Sequence, residues 1–278
     1  MEDLIFIDWK SDVGFKWLFA REEVSGHLIA FLRDLAKDVS DKAKINLPEE
    51  SAGQEVQLEY LNVEVVTRVE EDVLKKILFD VYVGLPDGNR VIIEMQKAPH
   101  KDLDIRMLKY LVRGFESSGG ISHVLVALMN FKFSRFSGTY EKDTVVKVNE
   151  VLNKGAFVTV ELGRFDKSLE ELETGLDCWL FLFKNITNLK VIPDIFRGTI
   201  FEKMMEMSRI KTLPGEKLEE WQQELMNNKY IQEAIEILAE QAAEEGQPWP
   251  IGRCRSASST SVRLRRRCGP SAMMRWPI

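Results

Sequence analysis

The sequence predicts an α/β protein, and three observations lead to that class. Residues 77–97 alternate apolar and other side chains on either side of a Pro-Asp-Gly-Asn turn, which is typical of two strands joined in a hairpin. Both strands are largely apolar on both faces, so we expect other elements to cover both. A helical pattern at residues 101–117 then leads to a buried strand at residues 121–131, and this order predicts a parallel pair of strands.

The elements before the hairpin are a helix and a strand. Residues 1–38 predict a short lead and a helix that starts at an N-cap, either Ser11 or Asp12. Residues 56–69 predict a strand. The charged residues 68–76 predict a solvated connection that leads into the hairpin.

The elements after the buried strand divide into strands and helices. Residues 144–151 and 157–162 predict two further strands, and from residue 166 the apolar spacing is helical. We therefore expect a sheet domain over residues 1–165 and a helical region over residues 166–246. An amphipathic run at residues 231–242 would suit a homo-oligomer in which the C-terminal helices of two chains pair.

The bulk composition is that of an ordinary globular protein. A chain of 278 residues can bury a substantial core. No apolar run is long enough to cross a bilayer, and the acidic start lacks the basic region of a signal peptide. Three cysteines and three histidines form neither a disulfide framework nor a zinc pattern. These features favour a cytoplasmic protein in a reducing compartment.

Charge is distributed unevenly along the chain. Residues 247–278 contain seven arginines and no acidic residue, whereas residues 1–246 contain 31 basic and 44 acidic residues, a net charge of −13. The tail has no apolar period, so we expect it to be disordered. It is either an arginine-rich arm for nucleic acid or the product of a frameshift. We favour the frameshift because an amphipathic Glu/Ala-rich helix stops in mid-pattern just before the tail.

A carboxylate occupies each strand of the hairpin, Asp80 in the first and Glu94 in the second. A charge in a buried strand needs an ionic partner, hydrogen bonds or a bound cation. By spacing alone, an arginine or a backbone donor is the favoured partner of each acid. The alternative is a shared Mg²⁺ ion, which takes few carboxylates and completes its shell with water and phosphate oxygens. Gln96 lies on the same face as Glu94, two residues along the strand.

Two helices carry further polar candidates. Asp12 begins the first helix, where capping is its favoured role, and Lys16 lies one turn later on the same side. Arg106, Tyr110 and Arg113 share one stripe of the helix at residues 101–117. The stripe could contact a DNA backbone or simply face solvent.

Several segments, taken in order, resemble a known family. They are S-D-V-G-F-K-W-L-F at residues 11–19, F-D-V-Y at 79–82, I-E-M-Q-K at 93–97, R-M-L-K-Y at 106–110, V-E-L-G-R-F at 160–165 and E-L-E-T-G-L-D-C-W-L at 171–180. Together they resemble the bacterial transposases of the PD-(D/E)XK nuclease family, of the recombination-promoting nuclease type. The order and spacing of the segments carry the resemblance, which covers most of the chain before residue 246. Members of the family often end in a Glu/Lys/Gly-rich helical extension, from which the tail departs completely.

The resemblance implies a restriction-endonuclease-like fold, in which helices flank both faces of a mixed sheet and further helices follow. It also implies a metal-dependent DNA endonuclease of recombination or mobile elements that hydrolyses phosphodiester bonds with Mg²⁺ or Mn²⁺. Asp80 and Glu94 match the metal-binding acids of the family, and Asp12 matches an additional acidic position of the site. Gln96 stands where many PD-(D/E)XK enzymes have a lysine, although this family shares the glutamine.

With glutamine at position 96, another residue would have to supply the positive charge that a lysine there brings to the site. Gln96 can orient a water molecule but carries no charge and takes no proton. Lys97 follows it directly and therefore points to the opposite face of the strand. Lys16, Arg106 and Arg113 are the remaining candidates for the missing charge and for contacts to DNA.

Two other functions stay open. The first is a catalytically inactive protein on the same fold that binds DNA or a protein partner, which the acidic body and Gln96 favour. The second is a helical interaction module that acts through its C-terminal helices.

Overall fold

The computed structural model describes residues 4–39, 44–48, 56–61, 64–68, 74–99, 103–132, 145–151 and 155–244. The tail at residues 247–278, with its expected disorder and the question of its origin, lies outside the described residues. The chain divides into two compact units, Met1–Asn228 and Lys229–Ile278. The described part of the second unit, residues 229–244, is helical. The side chains that would pair two chains through this segment also lie outside the description.

The described elements follow one another in a mixed order of helices and strands. The α-helices are α1 (Asp12–Phe19), α2 (Ser25–Asp38), α3 (Leu103–Ser117), α4 (Gly175–Asn185), α5 (Ile200–Met207) and α6 (Gly215–Glu244). The strands are β1 (Glu59–Tyr60), β2 (Glu64–Arg68), β3 (Leu74–Leu78), β4 (Val81–Gly84), β5 (Arg90–Gln96), β6 (His123–Met129), β7 (Val146–Val151) and β8 (Gly155–Glu161).

Six of the described strands form one mixed sheet. Its order is β1-β4-β5-β6-β8-β7, and β5, β6 and β8 run parallel while the other neighbours are antiparallel. The parallel pair of β5 and β6, joined through α3, is the pairing that the strand–helix–strand order predicts. The predicted α/β class with a mixed sheet is therefore confirmed. Because three parallel strands share a direction, their carboxyl ends meet at one edge of the sheet.

Helices cover both faces of the sheet, as the apolar strands require. On one face α3 packs with Leu103, Met107 and Leu111 against a small core that includes Ile92 and Leu125. The other face meets a larger core to which α1, α2, α4 and α5 contribute.

The larger core is rich in aromatic rings. Phe19 of α1 and Phe183 of α4 stack with their ring centroids 5.9 Å apart, and Trp179 also contacts Phe19. Phe183 and Trp179 come from the region after residue 165 and pack in the same core as the sheet. The expected boundary between domains at residue 165 stays a prediction.

The first helical segment contains two helices, and its start follows the sequence pattern. Ser11 is the N-cap of α1, since its hydroxyl oxygen accepts a hydrogen bond from the Gly14 N–H at 2.9 Å. Asp12 is the first helical residue and adds negative charge to the first turn, where the helix dipole favours it. Capping by Asp12 itself is therefore wrong.

The central hairpin is present, and its turn has the expected chemistry. Gly88 adopts a positive φ of 86°, and its N–H donates to the Leu85 carbonyl at 2.9 Å. The Asp87 carboxylate accepts a hydrogen bond from the Asn89 N–H at 2.9 Å. β4 and β5 are the two strands, with Val81 opposite Ile93.

Two predictions around the hairpin are wrong. The first predicted strand breaks at Asp80, because β3 ends at Leu78 and pairs with β2 in a separate two-stranded sheet. The charged segment at residues 68–76, predicted as a connection, contributes to both strands of that ribbon. The apolar alternation continues with the same period before and after Asp80, so the sequence pattern does not show that one strand ends there and another begins.

Among the described residues, no helix combines the length and the apolar character needed to cross a bilayer. A cytoplasmic location stays a prediction.

Candidate functional site

Asp80 and Glu94 lie together at the edge of the sheet where the parallel strands end. Glu94 is in β5, and the register of Val81 with Ile93 continues to place Asp80 opposite Glu94. The Asp80 N–H donates to Glu94 Oε1 at 3.2 Å, and the Met95 N–H donates to Asp80 Oδ2 at 2.8 Å. Each carboxylate is thus held by a backbone donor of the other strand. The structure brings the two predicted acids into one site.

Burial makes this pair costly to ionise. Glu94 is only 3% exposed, and burial, followed by the repulsion of Asp80, raises its pKa to about 8. Burial also raises the pKa of Asp80, although the Met95 N–H and Lys16 act in the opposite direction. Within the described part of the chain, neither carboxylate has a lysine or arginine hydrogen-bonded to it. The pair therefore lacks a strong protein counter-charge.

Two hydrogen bonds in series connect Arg106 through Gln96 to Glu94. The Gln96 side-chain N–H donates to Glu94 Oε2 at 3.2 Å, and an Arg106 terminal nitrogen donates to Gln96 Oε1 at 2.6 Å. Arg106 also contributes favourably to the ionised forms of Asp80 and Glu94. Its Nε is buried and has no hydrogen-bond partner among the described residues. This guanidinium therefore brings positive charge near the acids and retains one unused donor.

Asp12 and Lys16 stand at the rim of the site. They form an ion pair of 2.7 Å, and their side chains are 59% and 46% exposed. Burial tends to lower the pKa of Lys16, but Asp12, Asp80 and Glu94 together raise it. No group of three or more acidic, histidine or cysteine side chains in the described ranges is close enough to hold a metal ion. Asp12 is therefore near the acid pair but outside ligand distance.

Arg113, the last member of the predicted stripe, lies away from the acids. Its side chain forms an exposed ion pair of 2.5 Å with Glu116 one turn along α3. A contact of Arg113 with DNA stays a prediction. Tyr110, in contrast, is close enough for Glu94 and Asp80 to raise its pKa, which burial raises most.

One residue near the site was missed by the sequence reasoning. Glu224 of α6 accepts hydrogen bonds from the N–H groups of Asp12 and Val13 at 3.0 and 3.2 Å. Lys97 also donates to Glu224, at 2.6 Å. Glu224 therefore links the start of α1 to the end of β5, and it occupies Lys97. No local pattern marks it, because it lies 127 residues from Lys97 and 212 from Asp12.

Glu161, which the sequence reasoning also missed, is a buried acid on the same edge of the sheet as Glu94. Glu161 ends β8 and pairs in register with Met129, which pairs in turn with Gln96. Its carboxylate is fully buried and accepts hydrogen bonds from Lys147 and, at 2.6 Å, from Arg164 Nε. The only sequence signal is that Glu161 belongs to the V-E-L-G-R-F segment at residues 160–165.

The comparisons with known proteins decide the family. The model of the PD-(D/E)XK nuclease family transposases matches residues 9–240. The chain belongs to this family. No curated protein and no solved structure shows significant similarity to the chain.

The match includes α1, the whole described sheet and most of α6, so both acids of this PD-(D/E)XK chain lie within it. Membership confirms the restriction-endonuclease-like fold class and indicates a nuclease related to mobile elements. PD-(D/E)XK nucleases generally use divalent metal ions and act on DNA. The recombination-promoting type stays a prediction.

The donor set of the site fits such a metal ion. Mg²⁺ is usually held by one or two carboxylates, with waters and substrate phosphates in the remaining positions. Asp80 and Glu94 supply two carboxylates at an edge of the sheet. The remaining coordination positions of the ion would be left for water and for a substrate phosphate. A buried and a half-buried acid, both with raised pKa values, also gain more from a cation than solvated acids would.

Proposed function

We propose that the chain is a Mg²⁺-dependent DNA endonuclease that hydrolyses phosphodiester bonds at the Asp80–Glu94 pair, with Mn²⁺ as an alternative ion. The observation that carries the proposal is the convergence of the buried Glu94 with the half-buried Asp80, without an ion-paired lysine or arginine in the described residues. Cleavage of DNA would serve recombination or mobile-element movement. That finer role rests on the segments that resemble the recombination-promoting type.

Asp80 and Glu94 would hold the ion, and the hydrogen bonds between their strands fix the distance between them. When bound, such an ion lowers the pKa of a coordinated water and neutralises charge on the phosphoryl oxygens. Gln96 orients Glu94 through its side-chain N–H, while its carbonyl oxygen accepts from Arg106. Gln96 is therefore a positioning residue rather than a proton acceptor.

Two cations of the chain would act on the phosphate. Arg106 is hydrogen-bonded to Gln96 and favours the ionised forms of both acids, so its charge would act electrostatically on a phosphate held at the pair. Lys16 lies within electrostatic range of both acids from the side of α1. Together they would supply the positive charge that a lysine at position 96 provides in other PD-(D/E)XK enzymes. Asp12 would hold the Lys16 ammonium through their ion pair.

The experiment is plasmid cleavage with Mg²⁺ or Mn²⁺, comparing the wild-type protein with Asp80→Asn and Glu94→Gln. We expect each substitution to reduce the cleavage rate by about 10³-fold or more, because either one removes a ligand of the ion. Asp194→Asn is the matched control, since the Asp194 side chain is 95% exposed and lies outside the site. Equal cleavage by all four proteins would end the catalytic assignment, because cleavage would then not depend on Asp80 or Glu94.

A further inference from the structure

A groove lies beside the acid pair, between α1 and the beginning of α6. Its volume is about 270 Å³, and Trp17 and Ala20 form part of its floor. Three cationic side chains line it: Lys16, Arg21 and Lys217. Asp12 and Glu220 are its acidic residues, so the cations outnumber the acids.

Two cations of the groove, Lys16 and Lys217, are each held by an acidic partner that a phosphate can replace, whereas Arg21 donates to the Trp17 backbone carbonyl. Lys217 pairs with Glu220 at 2.7 Å, and both side chains are partly exposed, at 31% and 43%. Exposed ion pairs of this kind contribute little to stability and exchange readily. Lys16 pairs in the same way with Asp12. Both ammonium groups can therefore turn towards an anion in the groove at small cost.

The walls of the groove are fixed more firmly than its charges. Trp17 donates from its indole nitrogen to the Met207 carbonyl at 3.0 Å, and the guanidinium carbon of Arg21 lies 3.8 Å from the centre of the Trp17 ring. Glu224 connects α6 to the first N–H groups of α1. A groove with rigid walls and adjustable cations suits an extended polyanion, whose backbone phosphates lie at a regular spacing.

We infer that this groove binds backbone phosphates of the DNA strand next to the phosphate that is cleaved. Asp12 and Val13 line the groove, and Glu224 accepts hydrogen bonds from their N–H groups and from Lys97. Lys97 directly follows β5, so the groove lies near the end of β5 that carries Glu94. The inference rests on the proposed function, because the DNA bound in the groove would be the strand that the acid pair cleaves. Phosphate contacts of this kind fix the register of the DNA and carry no sequence preference. The C-terminal helix α6 thereby becomes part of the substrate site.

The test measures binding of a labelled DNA duplex without divalent metal, over a range of salt concentrations. The variants are Lys217→Ala and the double variant Arg21→Ala/Lys217→Ala, with Lys211→Ala as the control because Lys211 is exposed and outside the groove. Lys217 lies in the first turn of α6, where a cation opposes the helix dipole, so its removal leaves the fold intact. The same proteins are then assayed for plasmid cleavage with Mg²⁺ at saturating DNA.

We expect Lys217→Ala to weaken DNA binding roughly 5-fold at 0.15 M salt and to reduce the slope of log K against log salt by about one. The double variant should lose more, while Lys211→Ala should bind like the wild type, and cleavage at saturation should persist in all. Unchanged affinity and salt slope in both groove variants, with a wild-type protein that cleaves, would overturn the groove and leave the nuclease intact. A wild-type protein that neither binds nor cleaves DNA would overturn both.

Discussion

Two clusters share one edge of the sheet, the first formed by Glu161 with two cations and the second by the Asp80–Glu94 pair, and they differ in what neutralises their acids. Glu161 accepts hydrogen bonds from two cations of the chain, Lys147 and Arg164. Asp80 and Glu94 face each other, and the nearest cations, Lys16 and Arg106, act on them without a direct hydrogen bond among the described residues. The first cluster is complete within the protein. The second has no lysine or arginine hydrogen-bonded to its carboxylates among the described residues, which is why we propose it as the metal site.

Burial of an acid does not by itself indicate a functional site. A buried acid with two basic partners is a structural ion pair, and its removal leaves buried positive charge. A buried acid whose pKa is raised by burial and by a neighbouring acid opposes folding, and such an arrangement persists where a ligand or a reaction needs it. The following predictions separate the two cases.

The largest effect on stability should come from the complete cluster. Glu161→Gln removes the charge that balances Lys147, whose side chain is only 6% exposed. We expect a loss of about 3–5 kcal/mol in the free energy of unfolding, measured by urea denaturation. Glu170→Gln, on an exposed side chain nearby in sequence, is the control and should stay within about 0.5 kcal/mol of the wild type. An unchanged stability of Glu161→Gln would remove the distinction between the clusters.

Removal of the Glu94 charge should have the opposite effect and raise the free energy of unfolding at high pH. Its pKa is raised in the folded protein, so between pH 4.5 and about 8 the folded state holds a proton that the unfolded chain releases. Stability contributed by this group is therefore present at low pH and is lost as the pH rises towards 8. Without divalent metal, Glu94→Gln should be more stable than the wild type at pH 8, on the order of a few kcal/mol, and the difference should vanish near pH 4.

Urea denaturation at both pH values, in the presence of a chelator, measures this difference. Added Mg²⁺ should raise the stability of the wild type towards that of the variant, because a ligand that binds the folded state stabilises it. A Glu94→Gln protein that is less stable than the wild type at pH 8 would mean that the chain already neutralises the carboxylate.

A smaller effect should follow from loss of charge beside the acid pair. Arg106→Gln removes the guanidinium that binds Gln96, and we expect the cleavage rate to fall by about 10²-fold with no loss of metal affinity. Lys109→Gln is the matched control on the same helix, because the Lys109 side chain is exposed to solvent. Equal rates for the two variants would show that Arg106 has no part in the reaction.

The hairpin made a meeting of the two acids one of two alternatives, and the resemblance to the family favoured it over separate partners. The structure agrees with their meeting because a tight hairpin determines its own register. Counting outward from the turn, Gly84 faces Arg90 and Val81 faces Ile93, so Asp80 falls opposite Glu94. The parallel crossover was equally local, since strand, helix and strand follow directly in the chain.

Contacts between distant segments could not be predicted in this way. Glu224 reaches Asp12 and Lys97 through the packing of α6, and no periodicity within α6 singles it out. The cations of Glu161 come from β7 and from the turn after β8, and their pairing depends on the sheet order. The break at Asp80 also escaped, because β3 leaves the main sheet without a change in sequence pattern.

The most direct test of the account is a calorimetric titration of the metal-free protein with Mn²⁺ at pH 8. We predict one binding event in the wild type that is lost in both Asp80→Asn and Glu94→Gln, persists in Asp12→Asn, and weakens as the pH falls because protons compete for the acids. Binding of Mn²⁺ that survives in both Asp80→Asn and Glu94→Gln would contradict the claim that this pair lacks its counter-charge and takes it from a metal ion.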